Sequence, residues 1–172
     1  KVINSIVAAA KMCSDKIKNG GKLLICGNGG SAADSQHFAA ELIGRFYFDR
    51  QPLPAIALST DSSILTCVGN DYSFTDIFSR QVEALCSPND IVFGISTSGN
   101  SENVMKAFNS AKKIGAKTLL LTGNKNGSIE KASDIVIAAP SSDTARIQEM
   151  HLLIEHSICE SIEVDLGIPP KQ

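Results

Sequence analysis

The sequence predicts an α/β fold in which a five-stranded parallel sheet lies between layers of helices. Short continuous apolar runs, typical of strands buried on both faces, recur along the chain and alternate with amphipathic helical patterns. The composition agrees, because 43% of the residues are hydrophobic but only 5% are aromatic and tryptophan is absent. An aliphatic core of this kind is typical of helices packed on a parallel sheet.

The elements follow one another in a regular order. Apolar residues at helical spacing predict a first helix over residues 2–19, which ends where Gly20 and Gly21 supply a left-handed turn. The predicted strands cover residues 22–26, 55–58, 91–95, 118–121 and 135–138. The helices between and after them cover residues 31–43, 61–68, 74–85, 102–114 and about 143–164, with a break at 69–71 and a loop at 123–127.

Length and charge limit the possible functions. A chain of 172 residues fits one domain, residues 1–172, and its 16 basic against 18 acidic residues argue against a nucleic-acid partner. No apolar stretch reaches 18 residues, so no membrane span or membrane partner is expected. Five cysteines without a CxxC spacing favour buried thiols in a reducing cytoplasm over a disulfide framework.

Two loops lie where predicted strands end and helices begin. We call residues 27–31 (Gly-Asn-Gly-Gly-Ser) the glycine loop and residues 96–101 (Ser-Thr-Ser-Gly-Asn-Ser) the serine loop. Free backbone N–H groups and the helix dipole favour an anion there, and the serine loop adds four hydroxyls. Together they predict a phosphate monoester site. Ordinary polar turns remain an alternative, as does a dinucleotide site, because residues 27–32 also match its glycine fingerprint.

The histidines fall on two predicted helices. His37 and Glu41 lie one turn apart on the helix after the glycine loop, where they could bind a metal, move a proton or form a solvated surface pair. The last helix carries Gln148, His151 and His156, and the spacing of these residues alone does not decide which histidine joins a shared site.

Six segments in this order resemble the phosphoheptose isomerase family of sugar isomerase (SIS) domain proteins. They are residues 26–34, 37–42, 67–71, 78–81, 94–101 and 144–151. The resemblance spans nearly the whole chain and implies a SIS-type three-layer sandwich. It also implies a cytoplasmic homotetramer with active sites between protomers. The implied reaction converts sedoheptulose 7-phosphate to D-glycero-D-manno-heptose 7-phosphate through an enediol, the first step toward activated heptoses of bacterial surface polysaccharides such as lipopolysaccharide or capsule.

The resemblance also implies roles for individual residues. The phosphate would be held by Ser96, Thr97, Ser98 and Ser101. The sugar site would be lined by Asn28, Gly29, Gly30, Glu41, Asn70, Asp71 and Gln148. One catalytic zinc ion per subunit would be bound by His37, Glu41, Gln148 and His156. Glu41 and His156 match the acid/base pair of the family, and a carboxyl and an imidazole suit proton transfer between two carbons.

Two alternatives come from the same superfamily. A non-catalytic regulator that binds the replication initiator protein resembles this chain in several segments, but it lacks the acid at position 41 and the imidazole at position 156. Both groups are present here, which favours the enzyme. A SIS isomerase or sensor for another phosphosugar would use the same serine loop, so that loop does not discriminate between sugars.

Overall fold

The computed structural model describes residues 2–124 and 127–168. The helices are α1 Val2–Lys18, α2 Gly30–Ile43, α3 Ser62–Asp71, α4 Ser79–Leu85, α5 Glu102–Ile114 and α6 Thr144–Asp165. The strands are β1 Leu23–Gly27, β2 Ala55–Ala57, β3 Ile91–Ser96, β4 Lys117–Thr122 and β5 Ile135–Ala138. Two 3₁₀ turns lie at Phe74–Asp76 and Ser128–Ala132.

The five strands form one parallel sheet in the order β2-β1-β3-β4-β5, which confirms the predicted fold class. Alternate strand residues point to opposite faces, so Leu23 and Ile25 join one apolar core while Leu24 and Cys26 join the other. The first core is completed by α1, α2 and α6, and the second by α3, α4 and α5. The result is a three-layer sandwich.

The strand order places a crevice beside the ends of β1 and β3. These two strands are neighbours, but the chain leaves β1 toward β2 on one side and leaves β3 toward β4 on the other. In open parallel sheets the ligand site lies outside the carboxyl ends of the strands at such a switch point. The glycine loop follows β1 and the serine loop begins at the end of β3, so both predicted phosphate loops meet there.

Two element predictions around residue 70 were wrong. The break expected at residues 69–71 does not occur, because α3 continues to Asp71 and the Tyr72 N–H still donates to the Val68 carbonyl at 3.0 Å. The helix expected over 74–85 is instead a 3₁₀ turn followed by α4. The Ser73 hydroxyl accepts from the Thr75 N–H and so starts a separate short turn.

The cysteines form no disulfide among the described residues. Cys13, Cys26 and Cys159 are buried in the apolar cores, and burial raises the pKa of Cys13 and of Cys26 to about 12. Within the described ranges, no helix has the length and apolar character needed to cross a membrane. The predicted loop at 123–127 includes residues 125–126, which lie outside the described residues, and the 3₁₀ turn that follows it was not predicted.

Candidate active site at the carboxyl ends of the strands

A reciprocal amide pair joins the glycine loop to the first turn of α5, next to the serine loop. The Asn28 side-chain amide donates to Asn103 Oδ1 at 2.9 Å, and the Asn103 amide donates back to Asn28 Oδ1 at 2.8 Å. Asn103 is buried in the first turn of α5, where its Oδ1 also accepts from the Val104 N–H at 3.0 Å. These bonds fix the separation between the start of α2 and the start of α5.

The serine loop is held in shape from both ends. The hydroxyls of Ser96 and Ser101 lie 2.9 Å apart, and the Asn100 N–H donates to the Ser98 hydroxyl at 3.2 Å. Gly99 has a φ of +66°, which glycine adopts without strain. Thr97 accepts from the Gly123 N–H at 3.3 Å, which anchors the loop to the end of β4. The predicted phosphate residues therefore share one loop at the start of α5.

The glycine loop approaches α6 closely. Gly29 has a φ of +57°, and a Cβ atom added to Gly30 would lie only 2.2 Å from Gln148 Nε2. The side chain of Gln148 therefore packs directly on the loop backbone at the start of α2. A larger residue at position 30 would displace it.

One turn of α2 and one of α6 bring three predicted metal ligands together. His37 Nε2 lies 2.8 Å from His156 Nε2 and 3.6 Å from Glu41 Oε1. One ligand atom from each of His37, Glu41 and His156 can be chosen so that all three lie within 4.8 Å of one another. The side chains of His37 and Glu41 are 38% and 25% exposed, so this His/Glu/His triad is open on one side.

The fourth predicted ligand lies elsewhere in the same chain. Gln148 precedes His156 by eight residues on α6, which corresponds to a rise of about 12 Å. Its side chain contacts Gly30, two turns before His37 on α2. Within one chain, the structure therefore brings His37, Glu41 and His156 together and leaves Gln148 at the glycine loop.

Asn70 and Asp71 end α3 and are exposed. The Asn70 amide donates to Asp71 Oδ1 at 2.8 Å, and the Cys67 thiol donates to Asp71 Oδ2 at 3.5 Å. In residues 2–124 and 127–168, no hydrogen bond joins either side chain to the glycine loop or the serine loop. Their place in the sugar site stays a prediction.

The helix that carries His156 also carries buried polar residues, and of these the sequence analysis considered only His151 for the site. Both carboxyl oxygens of Glu155 and both ring nitrogens of His151 are buried without a hydrogen-bond partner among the described residues. Burial, reinforced by the Asp34 carboxylate, raises the pKa of Glu155 to about 9, so this group is protonated at neutral pH. Burial also lowers the pKa of His151, and the backbone of Thr122, which favours the protonated ring, offsets part of this shift.

A signal for these residues is present in the sequence. The apolar stripe of α6 contains Ile147, Ile154, Ile158 and Ile162, and the polar residues His151, Glu155 and Glu163 fall within the same buried face. Charged residues on a buried helix face are rare unless they are paired or functional. The presence of His151, Glu155 and Glu163 within an apolar stripe was therefore the sequence signal that could have identified these residues.

Comparisons with known proteins agree with this architecture. The SIS domain family matches residues 2–123. A phosphoheptose isomerase of Aliarcobacter butzleri is 55% identical over 159 residues, which are 92% of this chain and 84% of that protein. The solved phosphoheptose isomerase GmhA of Neisseria gonorrhoeae is 44% identical, with a TM-score of 0.90 over 95% of this chain and 87% of that chain. That of Francisella tularensis is 43% identical, with a TM-score of 0.91 over 94% and 86%.

A three-layer sandwich with this sheet order, two strand-to-helix loops at the switch point and a match over most of the chain define a SIS domain protein. Within that class, the relatives of more than 50% identity narrow the assignment. The chain belongs to the SIS domain family and, inside it, to the phosphoheptose isomerases.

Replacing Glu155 by Gln removes a buried ionisable group and keeps its shape. Folded Glu155 keeps its proton up to about pH 9, whereas an unfolded glutamate loses it near pH 4.5. At Glu155 the folded state therefore binds a proton that the unfolded state lacks between these values, so the contribution of this group to the free energy of unfolding falls as pH rises, by up to about 1.4 kcal/mol per pH unit. We expect Glu155→Gln to lose this contribution, so that its stability relative to wild type increases from pH 5.5 through 7.0 to 8.5 in urea unfolding.

The matched control for this experiment is Glu160→Gln. Glu160 is an exposed acid on the same helix, so its substitution leaves the wild-type pH dependence in place. Equal pH dependence in Glu155→Gln and wild type would contradict the assignment of a proton to buried Glu155.

Proposed function

We propose that this protein is an aldose–ketose isomerase that converts sedoheptulose 7-phosphate to D-glycero-D-manno-heptose 7-phosphate. The observation that carries the proposal is the His/Glu/His triad, in a chain 55% identical to a relative named phosphoheptose isomerase. The triad contains Glu41 and His156, the two groups that separate the enzyme from the non-catalytic regulator. The reaction begins the synthesis of activated heptoses for bacterial surface polysaccharides, and we place it in the cytoplasm.

The proposed chemistry moves one proton between two neighbouring carbons. A base removes a proton from C1 of the ketose, the C1–C2 bond becomes double, and the carbonyl oxygen at C2 takes up a proton to give the enediol. Loss of the proton on the C1 oxygen then forms the aldehyde while an acid delivers a proton to C2. Glu41 and His156 would supply the base and the acid, because their side chains meet beside His37 although they lie on different helices.

The triad also suits a zinc ion, one per subunit. Imidazole nitrogens and carboxylate oxygens are common zinc ligands, and the two Nε2 atoms, one from each histidine, point at the same region. His37, Glu41 and His156 would hold the ion. When bound, zinc supplies a Lewis acid that polarises the carbonyl and hydroxyl oxygens of the sugar. Because the set contains no thiolate, we expect a catalytic site open to exchange and not a structural zinc site.

The serine loop would hold the phosphate with hydroxyls and backbone N–H groups. Ser96, Thr97, Ser98 and Ser101 surround the start of α5, where the helix dipole favours an anion. The first lysine of α5, Lys106, already has partners: its Nζ donates to Thr75 Oγ1 at 2.7 Å and to Asp76 Oδ1 at 2.9 Å. Asn28, Gly29 and Gly30 lie next to this loop across the Asn28–Asn103 bridge and would line the path of the sugar.

We also propose that a second copy of the chain completes each site within a homotetramer. Gln148, Leu152 and His156 follow one another at four-residue steps on α6, and Leu152 is an exposed apolar residue midway between the other two. A two-fold axis near Leu152 would set two α6 helices antiparallel, with Gln148 of one copy opposite His156 of the other. The exposed apolar residues Ile3 and Val7 on α1 offer a second contact surface for a tetramer.

The experiment that tests the function combines a product assay with two substitutions. Purified protein is incubated with sedoheptulose 7-phosphate and zinc, and the aldose is followed by NMR. We expect wild-type turnover and a loss of at least about 100-fold in kcat for Glu41→Gln and for His156→Ala, because each removes an acid or base. Glu160→Gln is the control with wild-type activity. Absence of product from the zinc-loaded wild type would overturn the proposed reaction, and full activity of either variant would overturn the acid/base pair.

The serine loop predicts a different kinetic pattern. Ser98→Ala removes a phosphate contact that acts on substrate and transition state alike, so KM should rise several-fold while kcat stays near the wild-type value. The control is Ser133→Ala. Ser133 lies just before β5, at the amino ends of the strands and away from the serine loop, so its substitution should change neither constant. A fall in kcat with unchanged KM for Ser98→Ala would contradict uniform phosphate binding by this loop.

Mixed oligomers test whether Gln148 reaches the triad of a neighbour. Gln148→Ala and His156→Ala chains should each be inactive alone. In the antiparallel arrangement a mixed pair contains one site with both native residues, so random co-assembly should restore about a quarter of wild-type activity. Mixing after separate assembly, without subunit exchange, is the control. No recovery after co-assembly would place Gln148 and His156 of the same chain in one site.

A further inference from the structure

We infer that the buried ion pair between Arg50 and Glu163 positions the acid/base residues of the site. Arg50 lies in the segment after α2, and Glu163 lies on α6. Through this pair the end of α2 that carries Glu41 is bonded to the helix that carries His156. The expected effect on kcat rests on the function proposed above. The expected effect on the positions of Glu41 and His156 does not.

Arg50 binds the last turn of α2 directly. Its Nη2 donates to the carbonyl of Glu41 at 2.9 Å, and its Nη1 donates to the carbonyl of Leu42 at 2.8 Å. The last carbonyls of a helix have no partner within the helix, and a cation near them is also favoured by the helix dipole. Arg50 therefore fixes the backbone of the residue whose side chain enters the triad.

Glu163 on α6 binds both Arg50 and the backbone of the segment that follows α2. Its Oε1 accepts from Arg50 Nε at 2.7 Å and from the Phe46 N–H at 3.2 Å, and its Oε2 accepts from the Tyr47 N–H at 3.1 Å. The Phe46 ring then packs 5.4 Å from the His156 ring, centroid to centroid. Arg50 thus contacts the backbone of Glu41 directly, and Glu163 holds the backbone of Phe46, whose ring packs on His156.

The burial of this pair argues for a geometric role. The side chains of Arg50 and Glu163 are only 5% and 2% exposed. A buried ion pair seldom stabilises a fold more than apolar residues of the same size, because both charges lose their hydration. The pair does fix relative positions, because the donors of the planar guanidinium point at fixed angles. Here they bind the carbonyls of Glu41 and Leu42 and the carboxylate of Glu163 at the same time.

A second ion pair in the chain provides a matched control. Lys22 Nζ lies 2.7 Å from Asp90 Oδ2, and Asp90 is 1% exposed and also accepts from two backbone N–H groups. This pair lies just before β1 and β3, and among the described residues its side-chain hydrogen bonds join only Lys22, Ser87 and Asp90, with none to α2 or α6. Asp90→Asn and Glu163→Gln therefore make the same chemical change in similar surroundings, but only Glu163 is connected to the site.

The experiment compares Glu163→Gln, Arg50→Lys and Asp90→Asn with wild type, at a temperature where circular dichroism shows all four folded. For Glu163→Gln we expect zinc affinity and kcat to fall about 10- to 100-fold, the range for residues that orient ligands, while KM for the sugar phosphate changes less than about twofold. Arg50→Lys keeps the charge but cannot serve all three acceptors, so its losses should be intermediate. Asp90→Asn should lose thermal stability and keep wild-type zinc affinity and kcat.

A third readout needs neither zinc nor substrate. The nuclear Overhauser contact between the Phe46 and His156 rings should be lost in Glu163→Gln and kept in Asp90→Asn. Wild-type zinc affinity, kcat and ring contact in both Glu163→Gln and Arg50→Lys would overturn the inference, and so would equal losses in Asp90→Asn. If wild type fails to isomerise the sugar, the proposed function fails, while zinc affinity and the ring contact still decide the positioning role.

Discussion

The packing of α2 against α6 on one face of the sheet is the constraint on which the rest of this protein depends. Phe38 and Leu42 on α2 share an apolar core with Ile154 and Ile158 on α6. Because side chains three or four residues apart share a helix face, His37, Glu41 and His156 are carried to the edge of the same interface. The apolar contacts thus determine where the side chains of His37, Glu41 and His156 meet.

The same interface also contains polar groups that a purely structural core would avoid. Glu155 is buried and protonated at neutral pH, and Glu163 is buried in a pair with Arg50. Burial of such groups is costly unless they are neutralised or hydrogen-bonded, and natural sequences accept that cost mainly at functional sites. The opposite face of the sheet, packed by α3, α4 and α5, has a more ordinary apolar core. Glu155, Glu163 and the His/Glu/His triad therefore lie on one side of the sheet, and the glycine and serine loops lie at the carboxyl ends of its strands.

The sequence predicted most of the fold but only part of the site. Apolar strand runs and glycine punctuation are local signals, so all five strands and the two loops were found. Spacing did not choose between His151 and His156, because both lie near Gln148 on a helix; the choice came from the family resemblance. The structure places His151 in the core and His156 in the triad. The Arg50–Glu163 contact joins residues 113 positions apart, and no local pattern reports a contact at that separation.

The account centres on proton transfer by Glu41 and His156 through an enediol, and isomerisation in deuterium oxide tests that claim most directly. Glu41 and His156 are both half-buried and within reach of water, so protons that they carry should exchange with the solvent during turnover. Wild-type protein should therefore convert sedoheptulose 7-phosphate to an aldose that carries deuterium at C2, seen as loss of the C2 proton signal in the NMR spectrum. An aldose formed at the normal rate with only protium at C2 would show that the hydrogen moves directly from C1 to C2, and it would contradict the account.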